Sequence, residues 1–121
     1  MIYESSININ GTEYPLVFNG YAERAIQHRF GTIKSLGTSL VLDGGEPDLD
    51  AVLDLANILL EAGQLYYGVI GKDCPTPPKS LEAVVNLLDP SFIEKLLTTI
   101  SKGMTREVET VSKNGEAKQT N

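Results

Sequence analysis

The sequence contains few of the residues on which catalysis and metal binding most often depend. Among its 121 residues are one histidine, His28, and one cysteine, Cys74. A single cysteine excludes an intramolecular disulfide, and a free thiol is typical of a reducing compartment. Because the two residues lie far apart and neither belongs to a pair with metal-ligand spacing, we predict no metal and no cofactor.

Basic residues are also too few and too scattered for a nucleic-acid-binding protein. The chain has 10 Lys and Arg against 16 Asp and Glu, a formal net charge of −6, whereas phosphate neutralisation needs a clustered basic face. No apolar run approaches the roughly 20 residues that span a bilayer, and the first residues lack the pattern of a signal peptide. We therefore expect a cytosolic protein that binds neither nucleic acid nor membrane.

The clearest pattern that is present is a β-hairpin within residues 3–18. Asn10-Gly11 readily takes the positive φ of a two-residue turn. Pro15 has no N–H, so we expect its nitrogen to point away from the partner strand and its strand to lie at a sheet edge. Apolar residues alternate with polar ones on both sides of the turn, at Ile7, Ile9, Tyr14, Leu16 and Phe18.

A helical period follows the hairpin, from about Gly20 to Phe30. Its apolar face consists of Ala22, Ala25, Ile26 and Phe30. Gly31 supplies the helix end. His28 lies on the polar face, where we expect a solvent-exposed residue rather than a catalytic one. A weaker helical pattern covers residues 33–41, where Ser, Gly and Thr lower the helix propensity.

Residues 48–70 predict the longest helix. Asp48 is placed to be its N-cap, after a break at residues 43–47. The apolar stripe is so broad that we expect neighbours on more than one side. Gly63 offers an end, but apolar residues continue after it as far as Ile70.

The C-terminal third reads as a loop, two helices and a tail. Three prolines within residues 75–78 require a loop over residues 71–79. Ser80 can then cap a helix that extends to Leu88. Asp89-Pro90 starts the last helix, with the capping oxygen on Asp89 and the proline at the first position, and Gly103 ends it.

These elements predict an α+β fold, an N-terminal β-hairpin followed by a mainly α-helical body. We expect a single domain over residues 1–103, because 121 residues with 41% hydrophobic content suit one core. Residues 104–121 are polar and predict a flexible, disordered tail.

No residue pattern in the loops indicates an enzyme. Cys74 lies in the proline-rich loop without the helix N-terminus or fixed cations that lower a thiol pKa, so we expect an inert thiol. Gly44-Gly45 lacks the Gly-Lys-Ser/Thr sequence of a phosphate loop. The acidic residues around it do not alternate as in a calcium loop. We predict no catalytic residue.

Partner binding is the function that the apolar and aromatic residues favour. Tyrosine is enriched at protein interfaces, so Tyr21, Tyr66 and Tyr67 are candidates, although core packing explains two of the three at least as well. The apolar faces of residues 48–70 and 90–100 exceed what one small core needs. In the tail, two valines three apart share one face if the segment becomes helical on a partner; the alternative is a fraying terminus. The candidate partner-binding residues are Tyr21, Leu59, Tyr66, Tyr67, Leu97, Val108 and Val111.

Several segments together resemble the tail assembly chaperones of long-tailed bacteriophages and prophages of Gram-positive hosts. The resemblance covers about residues 7–100, and the proline-rich insert at residues 74–78 departs from it. It rests on a hairpin, a Phe-Gly helix end and ordered helices, in the segments INGTEYPLVF, AERAIQHRFG, PDLDAVLDLANILLEAG, LEAVVNLLD and FIEKLLTTI.

The resemblance implies a non-enzymatic chaperone that binds the tape measure protein in the host cytoplasm and is absent from the mature virion. It also implies a programmed frameshift near the end of the gene, whose longer product recruits tail tube protein. Residues 112–114, Ser-Lys-Asn, can be encoded across the slippery heptamer A AAA AAY. Self-association stays open.

Two other classes of function remain. A small acidic regulator or inhibitor could mask a basic surface of a host or phage protein, since the net charge is −6; binding would then depend strongly on salt. An enzyme would have to rely on His28 or Cys74, for which the sequence shows no partner residues.

Overall fold

A computed structural model of the chain describes the backbone of residues 2–120 and the side chains of residues 2–105. The N-terminal segment forms the predicted hairpin, in which strands β1 (Tyr3–Ile9) and β2 (Thr12–Phe18) pair antiparallel. Asn10 and Gly11 form the turn with φ angles of 53° and 89°. Four helices follow, α1 (Gly20–Phe30), α2 (Leu36–Ser39), α3 (Leu49–Ile70) and α4 (Pro90–Thr120). The α+β fold with a mainly helical body is therefore confirmed.

The ends of α1 and α3 are fixed by local residue chemistry. The Asn19 side chain accepts a hydrogen bond from the Ala22 N–H at 3.0 Å, and Asp48 accepts one from the Ala51 N–H at 3.2 Å. Gly31 ends α1 with a φ of 93°, and α3 runs through Gly63 to Ile70. The predicted bounds of both helices are confirmed.

Two segments that were predicted to be helices form only short helical turns in the structure. Residues 33–41 form a 3-10 turn (Ile33–Ser35) and the four-residue α2. Instead of a helix over residues 81–88 there is a 3-10 turn, Leu81–Ala83, and Ser80 forms no side-chain cap. Leu81 is buried, and Val85 and Leu87 pack partly buried against the core. Val84 and Leu88 are about half exposed, so the residues that contact the core do not follow one helical face.

The prediction that Gly103 ends the last helix is wrong. Met104 and Thr105 continue α4, and Met104 packs half-buried against the core. A Cβ at position 103 would lie 2.5 Å from the Phe18 ring, so this glycine allows a close approach rather than a helix end. The prediction of a flexible tail falls mainly on residues 106–121, which lie outside the described side chains.

The hairpin is the middle layer between α3 and α4. Ser5 on one of its faces hydrogen-bonds Thr99 of α4 at 2.7 Å, and Phe18 meets Gly103. Helix α3 packs on β2 from the opposite face and along its outer edge, where a Cβ at Gly63 would lie 2.5 Å from the Pro15 carbonyl oxygen and 3.3 Å from the Pro15 side chain. Covered on both sides, the second half of β2 is buried throughout. Helix α1 packs on α3 and β2.

The register places Pro15 as the sequence predicts. Ile9 and Thr12 flank the two-residue turn and form a hydrogen-bonded pair, and such pairs alternate with non-bonded ones along an antiparallel ladder. The Ser6–Pro15 pair is therefore a non-bonded one. The proline nitrogen points away from β1, and in the described part of the chain β2 has no second strand neighbour.

Candidate protein-binding surfaces

The three candidate tyrosines are exposed or half-buried. The hydroxyls of two of them donate hydrogen bonds to carboxylates, and the ring of the third contacts one of those two. Tyr21 is 42% exposed and donates to Glu61 at 2.6 Å, tying α1 to α3. Tyr67 donates to Glu4 and ties α3 to β1. The Tyr66 and Tyr67 rings contact edge to face with centroids 6.1 Å apart. Tyr21 and Tyr67 therefore help to hold the fold while part of each ring stays accessible.

These hydrogen bonds also change the acidity of the phenols. The bond to Glu61, with smaller effects of burial and of the carboxylate charge, raises the pKa of Tyr21. The bond to Glu4, followed by burial, raises the pKa of Tyr67 to about 12. A carboxylate acceptor stabilises the protonated phenol. Both side chains are therefore neutral donors throughout the physiological range.

The structure separates the remaining candidates. Leu59 is fully buried in the core, so it offers no surface to a partner; its position on the broad apolar stripe of α3 reflects packing on several sides. Leu97 is half-buried on the outer side of α4 and remains a candidate. Val108 and Val111 lie outside the described side chains.

Leu97 belongs to a groove, which we call the α4 groove, with a volume of about 490 Å³. The side chain of Leu88 is 56% exposed on its rim, and Glu94 is the one charged residue that lines it. The lining residues are Pro47, Leu88, Pro90, Ile93, Glu94, Leu97, Thr98 and Ser101. An apolar groove of this kind is a typical binding site for an apolar side of a partner.

Short-range interactions build both ends of the α4 groove. The Asp89 side chain accepts a hydrogen bond from the Ser91 N–H at 2.9 Å and thereby caps α4, as predicted for Asp89-Pro90. Pro47 is held in a bridge to Val41, with the Asp48 N–H donating to the Leu40 carbonyl at 2.8 Å. The groove is thus framed by fixed backbone.

A second apolar surface, the α3 end patch, consists of Leu65, Tyr66, Val69 and Ile70. Val69 is 85% exposed, and Leu65 and Ile70 are each almost half exposed. Because residues four apart share a helix face, Leu65 stacks with Val69 and Tyr66 with Ile70. The patch occupies the last turns of α3, beyond the buried segment that ends at Gly63.

Pro47, Leu88 and Ile93 were not predicted from the sequence as surface residues. For the end of α3, the sequence predicted only that apolar residues continue, not that they form an exposed patch. The sequence did contain a sign of exposed apolar surface, since α3 and α4 carry more apolar residues than one small core needs. Which of them stay uncovered depends on the other elements, because Pro47 reaches the groove only through the chain reversal before α3.

The described residues offer little to covalent or metal chemistry. His28 is exposed. Cys74 donates to the Pro75 carbonyl at 3.4 Å; burial, followed by the charge of Glu4, raises the pKa of its thiol, the direction opposite to that of reactive cysteines. No cluster of three potential metal ligands occurs among residues 2–105. Arg29 and Asp54 pair at 2.6 Å, both exposed.

Compared with models of protein families, with curated proteins and with solved structures, the chain matches none of them. None of the helices within the described residues is long and apolar enough to cross a membrane.

Proposed function

We propose that this protein is a tail assembly chaperone of a long-tailed phage or prophage, which binds the tape measure protein and keeps it soluble in the host cytoplasm. The observation that carries the proposal is the α4 groove, an apolar channel with Leu88 more than half exposed on its rim. The sequence resemblance supplies the class of client. The geometry supplies a surface on which a client helix can bury apolar side chains.

The energetics of the groove suit a reversible client complex. Covering an exposed leucine releases about 25 cal/mol for each Å² of apolar surface removed from water. Ile93 and Leu97 lie about one helical turn apart on α4, and Leu88 adds apolar surface on the rim of the same groove. A tape measure helix with apolar residues at three- and four-residue spacing matches such a surface.

The charge of the chain supports the same role. With a net charge of −6, a complex of this protein with an apolar client carries mutual repulsion that opposes aggregation. Since Glu94 is the single charged residue that lines the α4 groove, charge lies mainly away from the contact. Client binding is therefore expected to persist at high salt.

Co-expression with the tape measure protein encoded by the adjacent gene tests the proposal. We expect a rise in the soluble yield of that protein, and a loss of this rise in Leu88→Glu, which places a charge on the groove rim at a position exposed enough to leave the fold intact. Val69→Glu is the matched control, since it makes the same kind of change on the α3 end patch.

An unchanged soluble yield with the wild-type chain would contradict chaperone activity. If binding is instead lost steeply as salt rises, the acidic regulator or inhibitor of a basic protein becomes the better interpretation, because exposed charge pairs are screened while apolar contacts are not.

A further inference from the structure

We propose that the outer edge of β1 is a docking site for an extended, basic polypeptide segment of a partner protein, which adds to the hairpin as a third strand. The site lies apart from the α4 groove and is independent of the proposed chaperone function. It is formed by the second half of β1, the turn after the 3-10 segment Leu81–Ala83, and the first turns of α4.

The register of the hairpin shows which backbone groups face this edge. Because Ser5 and Ile7 belong to hydrogen-bonded pairs with β2, the N–H and C=O groups of the alternate residues Glu4, Ser6 and Asn8 point outward. No backbone partner within residues 2–105 bonds them. A row of unpaired donors and acceptors is the surface to which an added strand binds.

The outer edge of β1 is open to an added strand, and the outer edge of β2 is not. Along β2, α3 approaches so closely that a Cβ at Gly63 would lie 2.5 Å from the Pro15 carbonyl oxygen, and Pro15 has no N–H to offer. Along β1, a groove of about 570 Å³ follows residues 6–10. A third strand can therefore pair with β1 and cannot pair with β2.

The walls of this groove, which we call the β1 edge groove, have both apolar and charged parts. Val84 is 47% exposed, and Phe92 and the half-buried Val85 lie beside it. These side chains can receive alternate residues of an extended segment, because successive side chains of a strand point to opposite faces.

Charge identifies the partner more closely. Glu13 and Asp89 line the β1 edge groove, with Lys95 as the one basic residue. Neither carboxylate forms an ion pair with any described residue; Glu13 accepts from Asn8 and Asp89 from the Ser91 N–H. A segment with a Lys or Arg beside its apolar residues complements this pair, in a molecule whose net charge is −6.

Selection from a library of random linear peptides, displayed against the full chain, tests the inference. We expect the enriched peptides to alternate apolar and polar residues and to contain Lys or Arg. The decisive variant is Ser6→Pro, which removes an outward N–H and leaves the bonds to β2 in place; Ser6→Thr is its control. Binding to Ser6→Pro should be about tenfold weaker or worse, the effect of losing a backbone hydrogen bond and its neighbours.

A second measurement keeps the test valid if Ser6→Pro folds poorly. Amide hydrogen exchange of the wild-type chain, followed by NMR, should show new protection at Glu4, Ser6 and Asn8 when a selected peptide binds, while Ser5 and Ile7 are protected from the start. Leu88→Gln, which changes the rim of the α4 groove without adding a charge beside Asp89, should bind the peptide like the wild type and so separates this site from the α4 groove.

Four results would overturn the inference. The first three are a library without enriched peptides, peptides that bind Ser6→Pro and Ser6→Thr equally, and protection confined to other parts of the chain. The fourth is self-association of the wild-type chain that Ser6→Pro abolishes, since the edge would then be occupied by a second copy.

Discussion

At the scale of single residues, two glycines act as spacers between layers. Gly63 on α3 and Gly103 on α4 face opposite sides of the hairpin, and each brings its helix against the backbone or ring of β2. Gly68, in the same helix as Gly63, has nothing within 4 Å of the position that a Cβ would take. Substitution by alanine is therefore expected to destabilise the protein at Gly63 and Gly103 and to stabilise it at Gly68.

Gly63→Ala is expected to lower the free energy of unfolding by about 2 kcal/mol, because the new methyl group would have to displace the Pro15 carbonyl. Gly68→Ala should raise it by about 0.5 kcal/mol or more, since alanine is the better helix former. Urea denaturation of the two variants and the wild type measures both effects. Equal stability of the two variants would show that α3 does not approach β2 so closely.

The reactivity of the Cys74 thiol can be tested through its dependence on pH. Burial and the nearby Glu4 raise its pKa above the ordinary value, so the thiolate fraction at neutral pH is lower than in a free cysteine peptide. Alkylation by iodoacetamide should therefore be slower than for such a peptide at pH 8, and should accelerate as the pH rises further.

Cys74→Ala and His28→Ala should both leave client solubilisation unchanged, as neither side chain has a partner that makes it chemically special. Loss of function in either variant with folding preserved, or rapid alkylation of Cys74 at pH 7, would reveal a reactive site.

At the scale of elements, one hydroxyl pair joins the first strand to the last helix. Thr99 is 1% exposed, and its hydroxyl donates to the Lys95 carbonyl at 2.7 Å. As a hydroxyl has a single proton, Ser5 must be the donor in the 2.7 Å bond between the two side chains. Strand β1 is thereby fixed against α4.

Thr99→Val should destabilise the protein by about 1 kcal/mol, and Ser5→Ala by a similar amount. In the double variant the cost should fall short of the sum, because both changes remove the same bond. Thermal unfolding of the four proteins gives the coupling. Thr105→Val is the control: its hydroxyl makes the equivalent bond to the Ser101 carbonyl at 2.9 Å but is exposed. Full additivity would contradict the bond.

The elements that the sequence predicted well are those determined within a few residues of themselves. The Asn10-Gly11 turn and the Asp48 and Asp89 caps depend on short-range chemistry, and all three are confirmed. The continuation of α4 through Gly103 depends on Phe18, a residue far away in sequence. For the same reason the α4 groove could be anticipated only as excess apolar surface on two helices.

At the scale of the whole molecule, the described residues share one hydrophobic core, and the sequence after residue 105 is mainly polar. A frameshift at residues 112–114 would leave every residue of that core unchanged and replace only residues 115–121. We expect the gene to encode Lys113 as AAA and Asn114 as AAT or AAC, with an open shifted frame. Mass spectrometry of infected cells should then detect a minor, longer product that shares residues up to about Lys113.

Reading the gene is the first check, because AAG at Lys113 or an early stop in the shifted frame excludes this site. Without such a product the chaperone proposal would rest on the α4 groove and the sequence resemblance.

The pairing of the first strand with the last helix has a consequence for synthesis. Ser5 and Thr99 are 94 positions apart, so the hairpin leaves the ribosome long before α4 can cover it. During that interval the face of the hairpin that carries Leu16 and Phe18, which are fully or almost fully buried in the finished protein, lacks the helix that covers it. Docking of α4 is then a late step of folding, since contacts distant in sequence form slowly. Until it occurs, the nascent chain is itself an aggregation-prone polypeptide.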